Sequence, residues 1–314
     1  MISIVICGNS VIKRKNKSLE MHNVTKLVRA RTVYRRLHYF KVPEDIAERL
    51  VVIGNGMAGC RAVEEILARA PGRYAITIFG AEPRVNYNRI MLSPVLAGEK
   101  AFEDIVINDA AWYADNAIEL VSGDPVAQID RATGRVITKG GKVQPYDRLL
   151  IATGSDPFII PVPGHDLPGV VTFRDLDDVD KMLAAAEQGG SAVVIGGGLL
   201  GLEAANALSL MGLSPHVVER NPRLMPRQVD QAGGEHLARI IGELGIGITL
   251  SADTLAIEAG ERSVALVFNT PSGKHGRSDG GKAQRLPSGN LHGCLLLFWV
   301  RQYVPPALYD LVKV

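Results

Sequence analysis

Two glycine turns hold the residues whose types and spacing could do chemistry. The first is Gly54-Asn55-Gly56-Met57-Ala58-Gly59, after the apolar run Leu50-Val51-Val52-Ile53. The second is Gly196-Gly197-Gly198-Leu199-Leu200-Gly201, after Ala192-Val193-Val194-Ile195. In such a turn the first glycine (Gly54, Gly196) permits the bend, and the second (Gly56, Gly198) lets the backbone approach a pyrophosphate. The third (Gly59, Gly201) lets helix and strand pack closely, and the helix N-terminus faces the negative charge. One such spacing is weak. Two, each between a strand and a helix, predict two dinucleotides on one chain.

An acid closing the next strand completes each fingerprint, because a carboxylate there accepts hydrogen bonds from a ribose hydroxyl pair. After the first turn, Arg61 to Arg69 reads as a helix, Pro71-Gly72 breaks it, Tyr74 to Phe79 reads as a strand, and Glu82 follows. After the second, Leu202 to Met211 reads as a helix, and Pro215-His216-Val217-Val218 leads to Glu219. Either acid alone reads as well as a solvated strand end; the glycines in both places favour the ribose.

The elements that must position these turns are those of an α/β fold. The strands before both turns are short, β-branched and uniformly apolar, as strands buried on both faces are. Ile118 to Val121, Val126 to Ile129 and Arg135 to Thr138 read as a small meander, and Tyr146-Asp147-Arg148-Leu149-Leu150-Ile151 as another buried strand. That strand runs into Ala152-Thr153-Gly154-Ser155, a small-residue turn at the carboxyl end of a sheet, where ligands of doubly wound folds lie.

At 314 residues the chain has room for two domains, and 46% hydrophobic with 22% charged residues suits a soluble globular protein. No apolar run is long enough for a transmembrane helix, so cytoplasmic placement is expected. Cys7, Cys60 and Cys294 are far apart, without a CxxC, which argues against a redox pair or a cysteine-held metal and suits a reducing compartment. Cys60 opens a helix, which can lower a thiol pKa; a small residue packed beneath the helix is the preferred reading. Residues 1–41 hold ten basic residues and one acid, so a net charge of +2 hides a basic arm on an acidic body. The arm reads as a disordered or loosely helical extension without a catalytic role; nucleic-acid binding is the disfavoured alternative, and organelle import stays open.

The order of these motifs, with Glu82-Pro83, Tyr87-Asn88-Arg89, Leu92-Ser93, Ala152-Thr153-Gly154-Ser155 and Glu203 among them, resembles the two-dinucleotide flavoprotein oxidoreductases. Within that group the stretch from Arg49 to Phe268 is most similar to the N-terminal part of the large subunit of NAD(P)H-dependent assimilatory nitrite reductases. Leu224-Met225 and Asp230 to Gly234 share in the likeness. The resemblance implies two Rossmann-like, doubly wound, mostly parallel domains, the first incomplete. It implies FAD on Gly54, Gly56 and Gly59 with Glu82 on its ribose, Arg89 and Ser93 on the flavin side, and Thr153-Gly154 bordering the cofactor. It implies NAD(P)H on Gly196, Gly198 and Gly201, with Glu203 near the nicotinamide and Glu219 at the ribose. Glu219 favours NADH, since a carboxylate repels a 2′-phosphate, whereas Arg220 beside it can accommodate one; the choice stays open. The implied reaction is hydride transfer from NAD(P)H to FAD, which needs orientation and water exclusion and no general base. No catalytic side chain or metal ligand is expected.

The resemblance further implies a downstream electron acceptor in iron–sulfur and sirohaem modules, whose cysteine ligands this sequence lacks. A rubredoxin- or ferredoxin-reductase-like enzyme is the alternative, although such relatives place a lysine after Leu-Ser where this chain has Pro94. A non-catalytic remnant is the third reading. The expected division is 1–46 as the extension, 47–165 as the first FAD segment, 166–270 as the NAD(P)H domain, and 271–314 as an atypical tail. The family's second flavin segment does not follow Phe268. Residues 271–282 read as loop, and Cys294 to Val300 as an apolar run without a partner element. A frameshift near residue 271 is the expected cause, with weak FAD retention and aggregation as its consequences.

Overall fold

The computed structural model describes residues 5–7, 47–259, 264–269, 283–285 and 294–298. Two compact units divide them, one built up to Tyr87 and from Ile107 to Gly154, the other from Asn88 to Val106 and from Ser155 onward. In chain order come β1 (Val5–Cys7), β2 (Glu48–Ile53), α1 (Met57–Arg69), β3 (Tyr74–Gly80), β4 (Asn86–Tyr87), α2 (Leu92–Leu96), β5 (Val106–Asn108) and α3 (Ala110–Asp115). Then follow β6 (Glu119–Ser122), β7 (Val126–Asp130), β8 (Arg135–Thr138), β9 (Val143–Pro145) and β10 (Arg148–Ile151). After these lie β11 (Val170–Thr172), α4 (Leu176–Ala186), β12 (Ser191–Ile195), α5 (Leu199–Leu210), β13 (Ser214–Val218) and α6 (Gln231–Glu243). The last strands are β14 (Gly247–Thr249), β15 (Asp253–Ala259), β16 (Val264–Asn269), β17 (Ala283–Arg285) and β18 (Cys294–Phe298).

One plan serves both units. In the first, β10, β2, β3 and β6 lie parallel in that order, and β7, β8 and β9 form an antiparallel meander. In the second, β18, β12, β13 and β14 lie parallel in that order, and β15, β16 and β17 form the meander. Each time a strand, helix, strand, helix and strand lead into the meander, with β4, α2 and β5 inserted between β3 and α3 in the first case. The strand that leaves the meander returns beside the first strand. The chain therefore reverses direction across the sheet at β2 and at β12, and ligands of open α/β sheets bind outside the carboxyl ends of strands at such a point.

Burial explains the sequence pattern. Leu50, Val51, Val52 and Ile53 in β2 and Ala192 to Ile195 in β12 are all buried, so both faces of these strands are covered. The first core joins Val52, Cys60, Val63, Ile76, Ile78 and Leu150. In α1 the buried Gly59, Cys60 and Val63 share one face, while Arg61 pairs with Glu64 and Glu65 on the other. The second core joins Val193, Ile195, Val218, Ile257, Leu266 and Phe268.

Three details differ from the sequence-based expectations. The expected meander begins at Ile118, but Glu119–Ser122 pairs parallel with β3, because the helix α3 carries the chain across the sheet before it. Alternation marks a strand without naming its partner. The apolar run at Cys294 has partners on both sides: β18 lies parallel between β11 and β12. Residues 5–7 of the basic extension form β1, antiparallel on β10; the rest of the extension, 1–4 and 8–46, lies outside the described residues.

Candidate functional site

Each glycine turn is shaped by its neighbours. Gly54 has φ +116°, and a Cβ there would lie 2.2 Å from the Ala152 carbonyl oxygen, so no side chain fits. The turn is tied to both flanking strands: Gly54 N–H donates to Phe79 O (2.8 Å) and Ala152 N–H to Ile53 O (2.8 Å). The backbone nitrogen of Thr153 lies 3.0 Å from the same Cβ position, so the first turn and the Thr153-Gly154 segment are brought together. A Cβ on Gly59 would lie 2.4 Å from Gly54 O, which is the close strand–helix packing expected of the third glycine.

Gly56 differs from both. Among the described residues a Cβ there would meet nothing within 4 Å, and Gly56, the N-cap of α1, has no side chain with which to cap that helix. Gly198 caps α5 in the same way, again without a side-chain bond. By contrast Asp109, Asp175 and Asp230 cap α3, α4 and α6 with hydrogen bonds of 2.8, 2.9 and 2.8 Å. Helix N-termini carry unsatisfied N–H groups and a partial positive charge. Both glycine-capped helices thus present donors, the first with open space at Gly56, and both fit a pyrophosphate.

A buried polar network lies behind the first turn. Asn55, between the two glycines, accepts from Tyr113 Oη (2.7 Å) and Cys60 Sγ (3.2 Å), and donates to Arg84 O (3.2 Å). Asn86 N–H donates to Tyr113 Oη (3.3 Å), Asn86 Nδ2 to Asn108 Oδ1 (2.7 Å), and Asn108 Nδ2 to Glu64 Oε1 (3.0 Å). Burial pushes the Cys60 thiol up to about 11, so at neutral pH it is no nucleophile. Burial raises Tyr113 as well. Sequence reading missed Asn55, Tyr113, Asn86 and Asn108; an asparagine between two glycines was the available signal.

The second turn holds its acid directly. Gly196 also has φ +116°, and a Cβ on Gly201 would lie 2.0 Å from Gly196 O. Glu219 is 6% exposed; its Oε2 accepts from Gly197 N–H (2.6 Å), and its Oε1 from Asn221 N–H (2.7 Å) and Nδ2 (2.6 Å). A carboxylate at the turn is thereby fixed within the second unit. Gly197 was not singled out from the sequence, but a Cβ there would lie 2.5 Å from Leu224 Cδ2. In the first unit Gly80 stands at the matching place, just past the partner of the last β2 residue. Glu82 comes two residues later and accepts from Tyr87 Oη at 2.6 Å.

Ser93 and Glu203 meet within the second unit: Ser93 Oγ donates to Glu203 Oε2 at 2.9 Å. They are far apart in sequence, and the packing of α2 against α5 joins them. Arg89 Nη1 donates to Arg174 O (2.9 Å), and Arg174 Nε to Ser155 O (2.9 Å). Asp178, buried at the start of α4, accepts from Thr172 Oγ1 (2.7 Å) and Arg174 N–H (2.9 Å). Burial raises its pKa. Among the described residues no helix is long and apolar enough to cross a membrane.

Residues 48–278 match the family described as pyridine nucleotide-disulphide oxidoreductase. Among curated proteins, the nitrite reductase [NAD(P)H] of Bacillus subtilis (strain 168) is 48% identical over 221 residues, 70% of this chain and 28% of that protein. The assimilatory nitrate reductase electron transfer subunit of the same organism is 40% identical over 225 residues, 72% of this chain and 29% of that protein. The chain thus spans less than a third of the length of either. Among solved structures, the ferredoxin reductase for the CYP199A2 system from Rhodopseudomonas palustris superposes with a TM-score of 0.67 at 26% identity, covering 80% of this chain and 58% of that one.

Proposed function

Since the chain belongs to the pyridine nucleotide-disulphide oxidoreductase family, we propose that it is the electron-input module of a nitrite-reducing system. It is an α/β oxidoreductase that uses FAD and NAD(P)H. The observation that carries the reading is the pair of glycine-capped helix starts, each at the point where its sheet reverses direction.

Gly54, Gly56 and Gly59 hold the FAD pyrophosphate, Glu82 its ribose, and Thr153-Gly154 border it. Gly196, Gly198 and Gly201 hold the NAD(P)H pyrophosphate, with Glu219 at the ribose. When bound, the nicotinamide supplies a hydride and the flavin accepts it and passes electrons on one or two at a time. The chain's own work is to bind, orient and shield. Asn55 keeps the first turn in shape through Tyr113, and Asn221 keeps Glu219 aimed at the second. Ser93 holds the Glu203 carboxylate through Oε2, and Arg89 braces the start of the Asn88–Val106 segment on Arg174 O. The Cys60 thiol is set apart from any disulphide chemistry by its burial. The acceptor is a nitrite-reducing module in the nitrite reductase reading. A separate small electron carrier is the second reading, supported by the 26% identity to a ferredoxin reductase.

The test is the visible spectrum of the purified chain after loading with FAD and removing free flavin, before and after anaerobic NADH. Flavin that stays bound, in part where retention is weak, and that bleaches is the expected result. Soluble protein without flavin would refute the FAD reading, and flavin that NADH leaves unbleached would refute the hydride transfer. Comparing rates to nitrite, to ferricyanide and to an added ferredoxin separates the acceptor readings.

A further inference from the structure

By their charges Glu219 and Arg220 pull coenzyme choice in opposite directions, and a third charged group of the second unit, Asp253, pairs with Arg220. Glu219 is buried and fixed by three N–H donors, so its charge stays at the turn and opposes a 2′-phosphate. Arg220, one residue on, carries the guanidinium that a 2′-phosphate needs. That guanidinium is already paired: Nε lies 3.0 Å from Asp253 Oδ1.

Backbone geometry puts Asp253 there. Glu219 N–H donates to Thr249 O (2.8 Å), Ala252 N–H to Glu219 O (3.0 Å), and Ser251 N–H to Asn221 O (3.0 Å). Between these bonds Ser251 has φ +55°, a left-handed conformation that a non-glycine residue holds only when its surroundings fix it. The segment from Thr249 to Asp253 is thus clamped along Glu219 to Asn221, and Asp253, the first residue of β15, comes to face Arg220.

We propose that Asp253 is a coenzyme-selectivity residue: by engaging Arg220 it withholds that guanidinium from a 2′-phosphate and biases the site toward NADH. The inference rests on reading the second glycine turn as the NAD(P)H site. Arg220 and Asp253 are 82% and 65% exposed. An exposed pair of this kind is weak, so the shift in affinity is about two- to fivefold, and salt reduces it.

The experiment titrates the full chain with NADH and with NADPH, following the fluorescence of the nucleotide, which does not require bound flavin. Wild type, Asp253→Asn, Arg220→Gln and the double variant form a cycle that isolates the pair. Asp253→Asn is expected to lower the Kd for NADPH about two- to fivefold and to leave that for NADH unchanged. The gain should vanish when Arg220→Gln is present. No gain, or an equal gain with and without Arg220, overturns the proposal; the second result means that only a negative charge was removed. Wild type that binds neither nucleotide overturns the reading of the site itself, which is a different failure from equal binding of both.

Discussion

Gly56 and Gly59 lie three residues apart in one helix start and are glycine for opposite reasons. The Gly59 Cβ position collides with a backbone oxygen of the chain, whereas the Gly56 position has no described atom within 4 Å. Gly59→Ala should therefore lower the thermal midpoint of the cofactor-free chain, at a cost of about 1–3 kcal/mol. Gly56→Ala should lower that midpoint less, by about 0.5–1 kcal/mol for the poorer N-cap, and weaken FAD binding at least ~tenfold, about 1.4 kcal/mol. Melting curves with and without FAD distinguish the two. His216 offers a pH-dependent counterpart. Its ring lies against Gly247, its cross-strand partner, and Nε2 is 2.8 Å from Thr249 Oγ1. Burial lowers its pKa, so the unfolded chain takes up the proton first. The stability gained by keeping His216 neutral is complete above its ordinary value near ~6.5 and is lost as pH falls through the lower folded value. The fall in melting temperature from pH 7.5 to pH 5.5 should shrink in His216→Gln.

At the scale of elements, the first glycine turn stands on a network drawn from α1, β4, β5 and α3. Tyr113→Phe removes the hydroxyl that donates to Asn55 and accepts from Asn86. The groups left buried without it should cost about 1–3 kcal/mol, read by denaturant unfolding. Cys60, with its thiol raised to about 11, should react with iodoacetamide at pH 8 far more slowly in the folded chain than after unfolding, as peptide mass spectrometry reports. Capping is a simpler case: Asp230→Ala should cost about 1 kcal/mol, because the Asp230 carboxylate accepts from Gly233 N–H at the start of α6. Both glycine turns and their strands and helices were legible in the sequence, because period and glycine spacing are local signals. The network was not, since Asn55, Glu64, Asn86, Asn108 and Tyr113 meet only after the sheet has formed. Glu219 was legible as an acid at a strand end. That its carboxylate bonds back to Gly197 and Asn221 was not, because the sequence gives no side-chain direction. The Cys294 run shows the same limit: a few apolar residues read alike whether they join a sheet or not.

Across the whole molecule, one topology is used twice, and in both units the strand beside the nucleotide turn arrives after the meander. Removing residues from Cys294 onward should leave β11 without its pairing strand and open one edge of β12. The second unit is then expected to aggregate and to lose nucleotide binding, seen by gel filtration and NADH fluorescence, while FAD loading of the first unit should be affected less. The same arrangement bears on synthesis of the chain. Translation delivers roughly 5–20 residues per second. Roughly a hundred residues separate β2 from β10 and β12 from β18, so each buried strand waits roughly 5–20 s on the ribosome before its neighbour exists. During that interval Leu50 to Ile53, and later Ala192 to Ile195, present an unpaired apolar edge that invites association with other nascent chains. Cellular yield should consequently depend more on chaperone supply and elongation rate than the finished protein's thermal stability would suggest.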